Sequence, residues 1–173
     1  GMSKAGIFKY YKNKQELFIA VVDKFWFSTQ NPRNKFTETN GTFAEFIDEY
    51  VRGVQRTMDM LGDLIGAERE KVAQGKFTYH AQYFHFLFQL LQYDPDAKEK
   101  LRNLVEVDYA YWRAAIQRAI ATGELREDVD VEDAVVMFRQ VYMGLSFEMA
   151  FMGGLNTQRL AKHLHAVYSL LKR

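Results

Sequence analysis

Apolar residues recur along this chain at the spacing of helices, segment after segment, and nowhere alternate with period two for long enough to suggest a strand. Leu17, Phe18, Val21, Val22 and Phe25 form one stripe of a first helix, with Asn13 its expected N-cap and Glu16 closing a capping box. Asn31-Pro32 breaks the pattern, and a polar stretch runs on through Asn40-Gly41. Thr42 or Asn40 then caps a second long helix carried by Phe43, Phe46, Ile47, Tyr50, Val51, Val54, Met58 and Leu61. Gly62 and Gly66 loosen it, and Glu68 to Ala73 suits a short extra helix.

Phe77 to Tyr93 is apolar nearly all round, which predicts a helix packed on several faces. Asp94-Pro95-Asp96 stops it and opens a helix from Ala97 to Ala121, with Gly123 as its C-terminal cap. Leu101, Leu104, Val105, Trp112, Ala115, Ile116, Ala119 and Ile120 make its stripe. Asp130 caps a helix from Val131 to about Met152, again apolar on more than one side, and Gly153-Gly154 ends it. A final helix, Thr157 to Leu171, shows Leu160, Leu164, Val167, Tyr168 and Leu171. The fold class is all-α, with neither repeat nor low-complexity tract.

Composition narrows the picture. The 173 residues are 48% hydrophobic and 15% aromatic, enough for one domain with a substantial core. No apolar run reaches the roughly 18 residues a membrane span needs. The polar, basic start lacks the apolar region of a signal peptide. Without cysteine there is neither a disulfide framework nor a thiolate metal site. The expectation is a soluble cytoplasmic protein with no membrane contact.

Net charge is +1, but it is unevenly spread. Residues 1–35 hold seven Lys or Arg against Glu16 and Asp23, leaving 16 basic and 20 acidic residues for the remainder. A basic end on an acidic body suits a phosphate-facing tip, or equally a lysine-rich helix end in solvent.

That basic end, Ser3 to Phe25, reads SKAGIFKYYKNKQELFIAVVDKF. It resembles the close of the DNA-binding domain in TetR-family (tetracycline-repressor-like) regulators. There a pattern S-K-x-x-(L/I)-(Y/F)-x-(Y/H)-(F/Y)-x-(S/N)-K-x-x-L ends the recognition helix and begins the next. Ser3, Lys4, Ile7, Phe8, Tyr10, Tyr11, Asn13, Lys14 and Leu17 fill it in register. Further on, ATGELREDVDVEDAV, Ala121 to Val135, is similar to the loop before the dimerisation helices of TetR-family ligand domains, which often read G-x-L-x-x-D-x-D-x-x-x-(A/L).

The resemblance implies a TetR-like C-terminal ligand-binding and dimerisation bundle over residues 13–173, preceded at 1–12 by a remnant of a helix-turn-helix. Family members have two more helices before the recognition helix. Operator DNA is therefore an expected partner only where those helices are present, and these 173 residues alone are not expected to bind DNA sequence-specifically. By resemblance Lys4 and Lys9 face the major groove beside Ser3, while Tyr10 and Lys14 hold phosphates. A homodimer through the last two helices is expected, with Val141, Phe147, Phe151, Leu160, Leu164 and Tyr168 at the contact. A small apolar or amphipathic ligand is the other implied partner.

The candidate pocket residues are Tyr50, Met58, His80, Tyr83, Phe84, Phe88, Asp108, Tyr109, Trp112, Phe138 and Tyr142. Aromatic stripes at helical spacing are ordinarily core, yet ligand sites in bundles have the same apolar walls with a few polar tips. Asp108 stands out in the stripe between Val105 and Trp112, where a carboxylate is costly unless paired or wet. It meets an Arg or Tyr of a neighbouring helix, lies at the stripe's edge, or anchors a ligand. His80 and His85, like His163 and His165, have spacings that point them apart, so no metal site is expected. With no nucleophile elbow, triad or phosphate loop, neither an enzyme nor a cofactor is expected. The alternative to a DNA-linked regulator is a homodimeric helical module that binds a ligand or a protein and never touches DNA.

Overall fold

A computed structural model describes residues 10–36, 41–64 and 79–173. The first helix, α1, spans Lys14–Val21 and runs without a break through a π-helical turn, Val22–Trp26, into a last α turn, Phe27–Thr29. Asn13 caps it, its Oδ1 accepting the Glu16 N–H at 2.8 Å. The Glu16 carboxylate reaches back to the N–H of Lys12 at 2.8 Å, one residue earlier than the capping box predicts.

The π turn changes which face is buried. Phe18, Val22 and Trp26, four apart, turn inward, while Val21 and Phe25, expected on the apolar stripe, are exposed. A π turn takes in one residue more than an α turn, so the buried row drifts from the spacing that an unbroken α-helix dictates. Asn34, in the 3₁₀ turn Pro32–Asn34, donates to the carbonyls of Ser28 and Thr29 at 2.9 Å each and ties off the end of α1. Phe36, from the stretch read as polar loop, enters the core and stacks on Tyr111 at 4.7 Å.

Helix α2, Phe43–Leu64, begins with a Thr42–Glu45 capping box. It also receives a second cap from far along the chain: the Glu124 carboxylate accepts the Phe43 N–H at 2.8 Å and the Ala44 N–H at 3.3 Å. Helix α3 follows at Tyr79–Tyr93 and α4 at Ala97–Ala121. Buried Asp94 shapes their junction by accepting the Asp96 N–H. Helix α5, Val131–Ala150, is capped by Asp130 as expected, and α6, Thr157–Leu171, by Asn156. Gly123 adopts a φ of +75°, the left-handed conformation that ends α4. Among the described residues there is no strand, only an isolated bridge between Leu125 and Lys172. Nor is any described helix long and apolar enough to cross a membrane.

The main core lies where α2 meets α4, α5 and α6. Trp112 is its centre, stacked on Phe138 at 4.9 Å and flanked edge-on by Tyr50 and Phe46. A smaller cluster of Val22, Trp26, Leu90 and Ala97 docks α1 onto α3 and the start of α4. Lys100 clamps that dock, reaching Asp23 at 2.7 Å and Asp94 at 2.9 Å. Gln15 adds a bond to the Tyr93 carbonyl. Of the described side chains of α3, Phe88, Leu91 and Tyr93 face outward.

Candidate ligand pocket

A narrow cavity lies between the end of α1 and helices α2, α3 and α5. Gln30, Val54, Thr57, Met58, Leu61, Tyr83, Phe84, Tyr142, Met143 and Ser146 line it. Its volume, about 20 Å³, is close to the least that admits one water. A wider surface groove, about 310 Å³, runs over the start of α2, but Glu124 already caps the helix end there.

Polar groups are concentrated behind one wall. Asp108 and Arg139 form an ion pair across α4 and α5, Oδ2 to Nε at 3.2 Å, with side chains only 5 and 11% exposed. The lone carboxylate of the α4 stripe thus meets a neighbouring helix's arginine. The pair leaves much unanswered: Asp108 Oδ1, Arg139 Nη1, the Tyr50 hydroxyl, the Trp112 indole N–H and Ser146 Oγ are buried without a hydrogen-bond partner among the described residues. Orphans of this kind are few in native proteins and call for a water, an ion or a ligand.

Tyr142 joins the pair to the pocket. The Arg139 guanidinium carbon lies 5.8 Å from its ring centroid, and Lys35 Nζ lies 5.2 Å from the same ring. The Tyr50 ring meets it edge-on at 5.9 Å. Burial, then the neighbouring Tyr142 and Asp108, push the Tyr50 phenol well above its ordinary range, with Arg139 pulling the other way. The Tyr83 phenol is raised too, by burial first and then Tyr142. Both hydroxyls therefore stay protonated near neutral pH and can donate. Burial opposes the charge on Arg139, but Asp108 and the tyrosines outweigh it and raise its pKa.

Of the candidates named from sequence, Met58, Tyr83, Phe84 and Tyr142 line the cavity, and Tyr50 and Asp108 stand behind it. Trp112 and Phe138 belong to the packed core, and Tyr109 packs partly buried against that core. Phe88 is corrected: it is 60% exposed, on the face of α3 turned from the bundle. The His80 side chain lies outside the described residues. Sequence reasoning missed Gln30, Lys35, Thr57, Arg139 and Ser146. No local pattern distinguishes a buried lysine or arginine from the many on helix surfaces.

The dimer candidates divide. Phe147 and Phe151 are exposed, while Val141 is half-buried against the core. Leu160 and Leu164, both 0% exposed, and Tyr168 are corrected, because the single apolar stripe of α6 is spent inside the subunit against α2. Of the DNA candidates, Ser3, Lys4 and Lys9 lie outside the described residues, whereas Tyr10 and Lys14 are exposed at the start of α1. Among the described residues no group of His, Asp and Glu is placed to hold a metal. His165 instead bonds Asp48 at 2.7 Å, joining α6 to α2.

These features define a class: an all-α bundle with a polar-backed pocket between its helices and one further helix docked on its flank. Residues 54–164 match the family described as Tetracyclin repressor-like, C-terminal domain, and the chain belongs to that family. No curated protein and no solved structure matches it. The family points to a regulator rather than an enzyme.

Proposed function

We propose that the chain is the effector-binding and dimerising part of a ligand-responsive transcriptional regulator, and that a small apolar or amphipathic molecule is its effector. The observation that carries this reading is a pocket of about 20 Å³ with one unpartnered polar group, Ser146 Oγ, in its lining and the buried Asp108–Arg139 pair and Tyr50 hydroxyl behind it. A molecule that enters must part α1, α2, α3 and α5, so it binds only the parted state and shifts the population toward it. Gln30, at the end of α1, is part of the lining. Of the DNA-facing residues implied by the family resemblance, Tyr10 and Lys14 are described and lie at the start of α1, away from Gln30, so α1 is the element through which occupancy would alter DNA contact.

A second copy is the proposed partner for the outer face of α5 and α6. Met137, Phe147, Phe151 and Leu170 are exposed there, and a methyl at Gly144 would meet nothing within 4 Å. Small and apolar residues together suit close approach of a two-fold related helix.

Thermal unfolding against a panel of hydrophobic small molecules tests the effector reading. A ligand at 100 times its Kd should stabilise the native state by about 2.7 kcal/mol. It should also change the fluorescence of Trp26, whose ring stacks on Tyr83 at 5.6 Å. A broad panel that moves neither would refute the reading.

A further inference from the structure

We propose that the pocket holds its effector by a carboxylate, so that the effector is an amphipathic monocarboxylic acid with its charged end beside Tyr142 and its apolar body between α2 and α3. This deepens the effector reading above and rests on it. The charge count at Tyr142 carries it. Two cations, Lys35 and Arg139, approach that ring from the 3₁₀ turn and from α5, at 5.2 and 5.8 Å. Asp108 is the one carboxylate paired with either among the described residues, and it pairs with Arg139. Lys35, 5% exposed, has no carboxylate of the described residues within 4 Å. A buried cation is costly without an anion, and a bound anion removes the cost.

Hydrogen-bond inventory points the same way. The Tyr50 hydroxyl and Ser146 Oγ, each at least nine-tenths buried, and Arg139 Nη1 are three donors with no acceptor among the described residues, against one unpartnered acceptor, Asp108 Oδ1. An ionised carboxylate accepts only and can take several such bonds. An ammonium would meet two cations there, and a neutral alcohol would leave the excess charge unanswered. In front of these groups the lining, with Val54, Met58, Phe84 and Met143, offers hydrocarbon and aromatic surface to a tail.

The test compares octanoate, octanol and octylammonium on the purified protein by calorimetry and thermal unfolding, with the variants Lys35→Met and Lys35→Arg. Octanoate should raise Tm and bind at least about tenfold more tightly than octanol, a difference of about 1.4 kcal/mol, while octylammonium does not bind. Lys35→Met should abolish that preference, and Lys35→Arg should keep it. Because it removes a buried cation that no carboxylate of the described residues answers, Lys35→Met should unfold no lower than the parent without ligand. Equal binding of octanoate and octanol, or a preference that survives Lys35→Met, overturns the carboxylate site. If other apolar molecules bind and octanoate does not, the carboxylate site falls and the effector reading stands. If nothing in the panel binds, both fall.

Discussion

Gly53 of α2 and the backbone of Lys35 touch so closely that a β-carbon on Gly53 would lie 2.1 Å from the Lys35 carbonyl oxygen and 2.5 Å from its Cα. The contact is backbone on backbone and cannot be relieved by turning a side chain. It holds the 3₁₀ turn against α2 and sets where Lys35 emerges beside Tyr142.

Gly53→Ala therefore has opposed effects. Inside a helix alanine is favoured over glycine by about 1 kcal/mol. The clash should outweigh that, as overpacking commonly costs about 1–3 kcal/mol even before backbone shifts are counted. A net loss of about 1–2 kcal/mol in denaturant unfolding is expected. A more stable Gly53→Ala protein would show that the turn moves away without cost.

Gly144 makes the contrasting case, since no atom lies within 4 Å of a methyl placed there. Gly144→Ala should stabilise the subunit by up to about 1 kcal/mol. If α5 packs on its mate in a dimer, the same methyl should weaken association. Light scattering across a dilution series should then show the variant dissociating at higher concentration than the parent. Phe151→Glu, at a side chain 71% exposed in the subunit, should leave the fold intact and favour monomer. A dimer indifferent to both changes would place the interface elsewhere.

Glu124 joins the start of α2 to α6, accepting the Phe43 N–H at 2.8 Å and the Tyr168 hydroxyl at 2.9 Å. Burial, then the bond to Glu124 and its charge, push the Tyr168 phenol up to about 12. A phenol with a raised folded pKa contributes stability that is fully present below its unfolded value near 10 and is lost as pH climbs toward 12. Tyr168→Phe should lose about 1–2 kcal/mol at neutral pH, for a hydrogen bond to a charged acceptor. Its stability should also fall less steeply than the parent's between those two pH values. Identical alkaline limbs would show that Tyr168 is not the group responsible.

Lys100 is the clamp on α1, and Lys100→Met should leave buried Asp94 without its cation. The expected loss is about 1–3 kcal/mol, concentrated in the dock of α1 on α3 and α4. Hydrogen exchange should quicken in residues 14–29 while the centre of α4, around Trp112, stays protected. Uniform loss of protection would mean that α1 and the bundle unfold as one unit.

Much of this architecture was legible because helices announce themselves locally. The bounds of α4 and α6, the caps at Asn13 and Asp130, and Thr42 as one of two candidates for the α2 cap follow from residue types a few positions apart. Periodicity says which face of a helix is buried but not what buries it. The stripe of α6 was read as a dimer surface and is covered by α2 of the same subunit. The pocket was half legible. Tyr83, Phe84 and Tyr142 stood out as aromatics, but Lys35 and Arg139 owe their burial to contacts made across the fold. Gly53 lies in the middle of an ordinary helical pattern, and its role depends on a turn 18 positions earlier.

The π turn at Val22–Trp26 has a consequence for evolution of this chain. Such a turn is what one inserted residue leaves in a helix whose two ends stay anchored. Deleting one residue from it would restore a uniform α-helix, and each residue of α-helix advances the screw by about 100°. Trp26 would keep its seat against Tyr83 while everything ahead of the turn swung through more than a quarter of a circle. Residues 14–21 would then present a different face to α3 while Gln30 kept its place in the pocket lining. A single codon could in this way re-aim one half of α1 and leave the other half where it is.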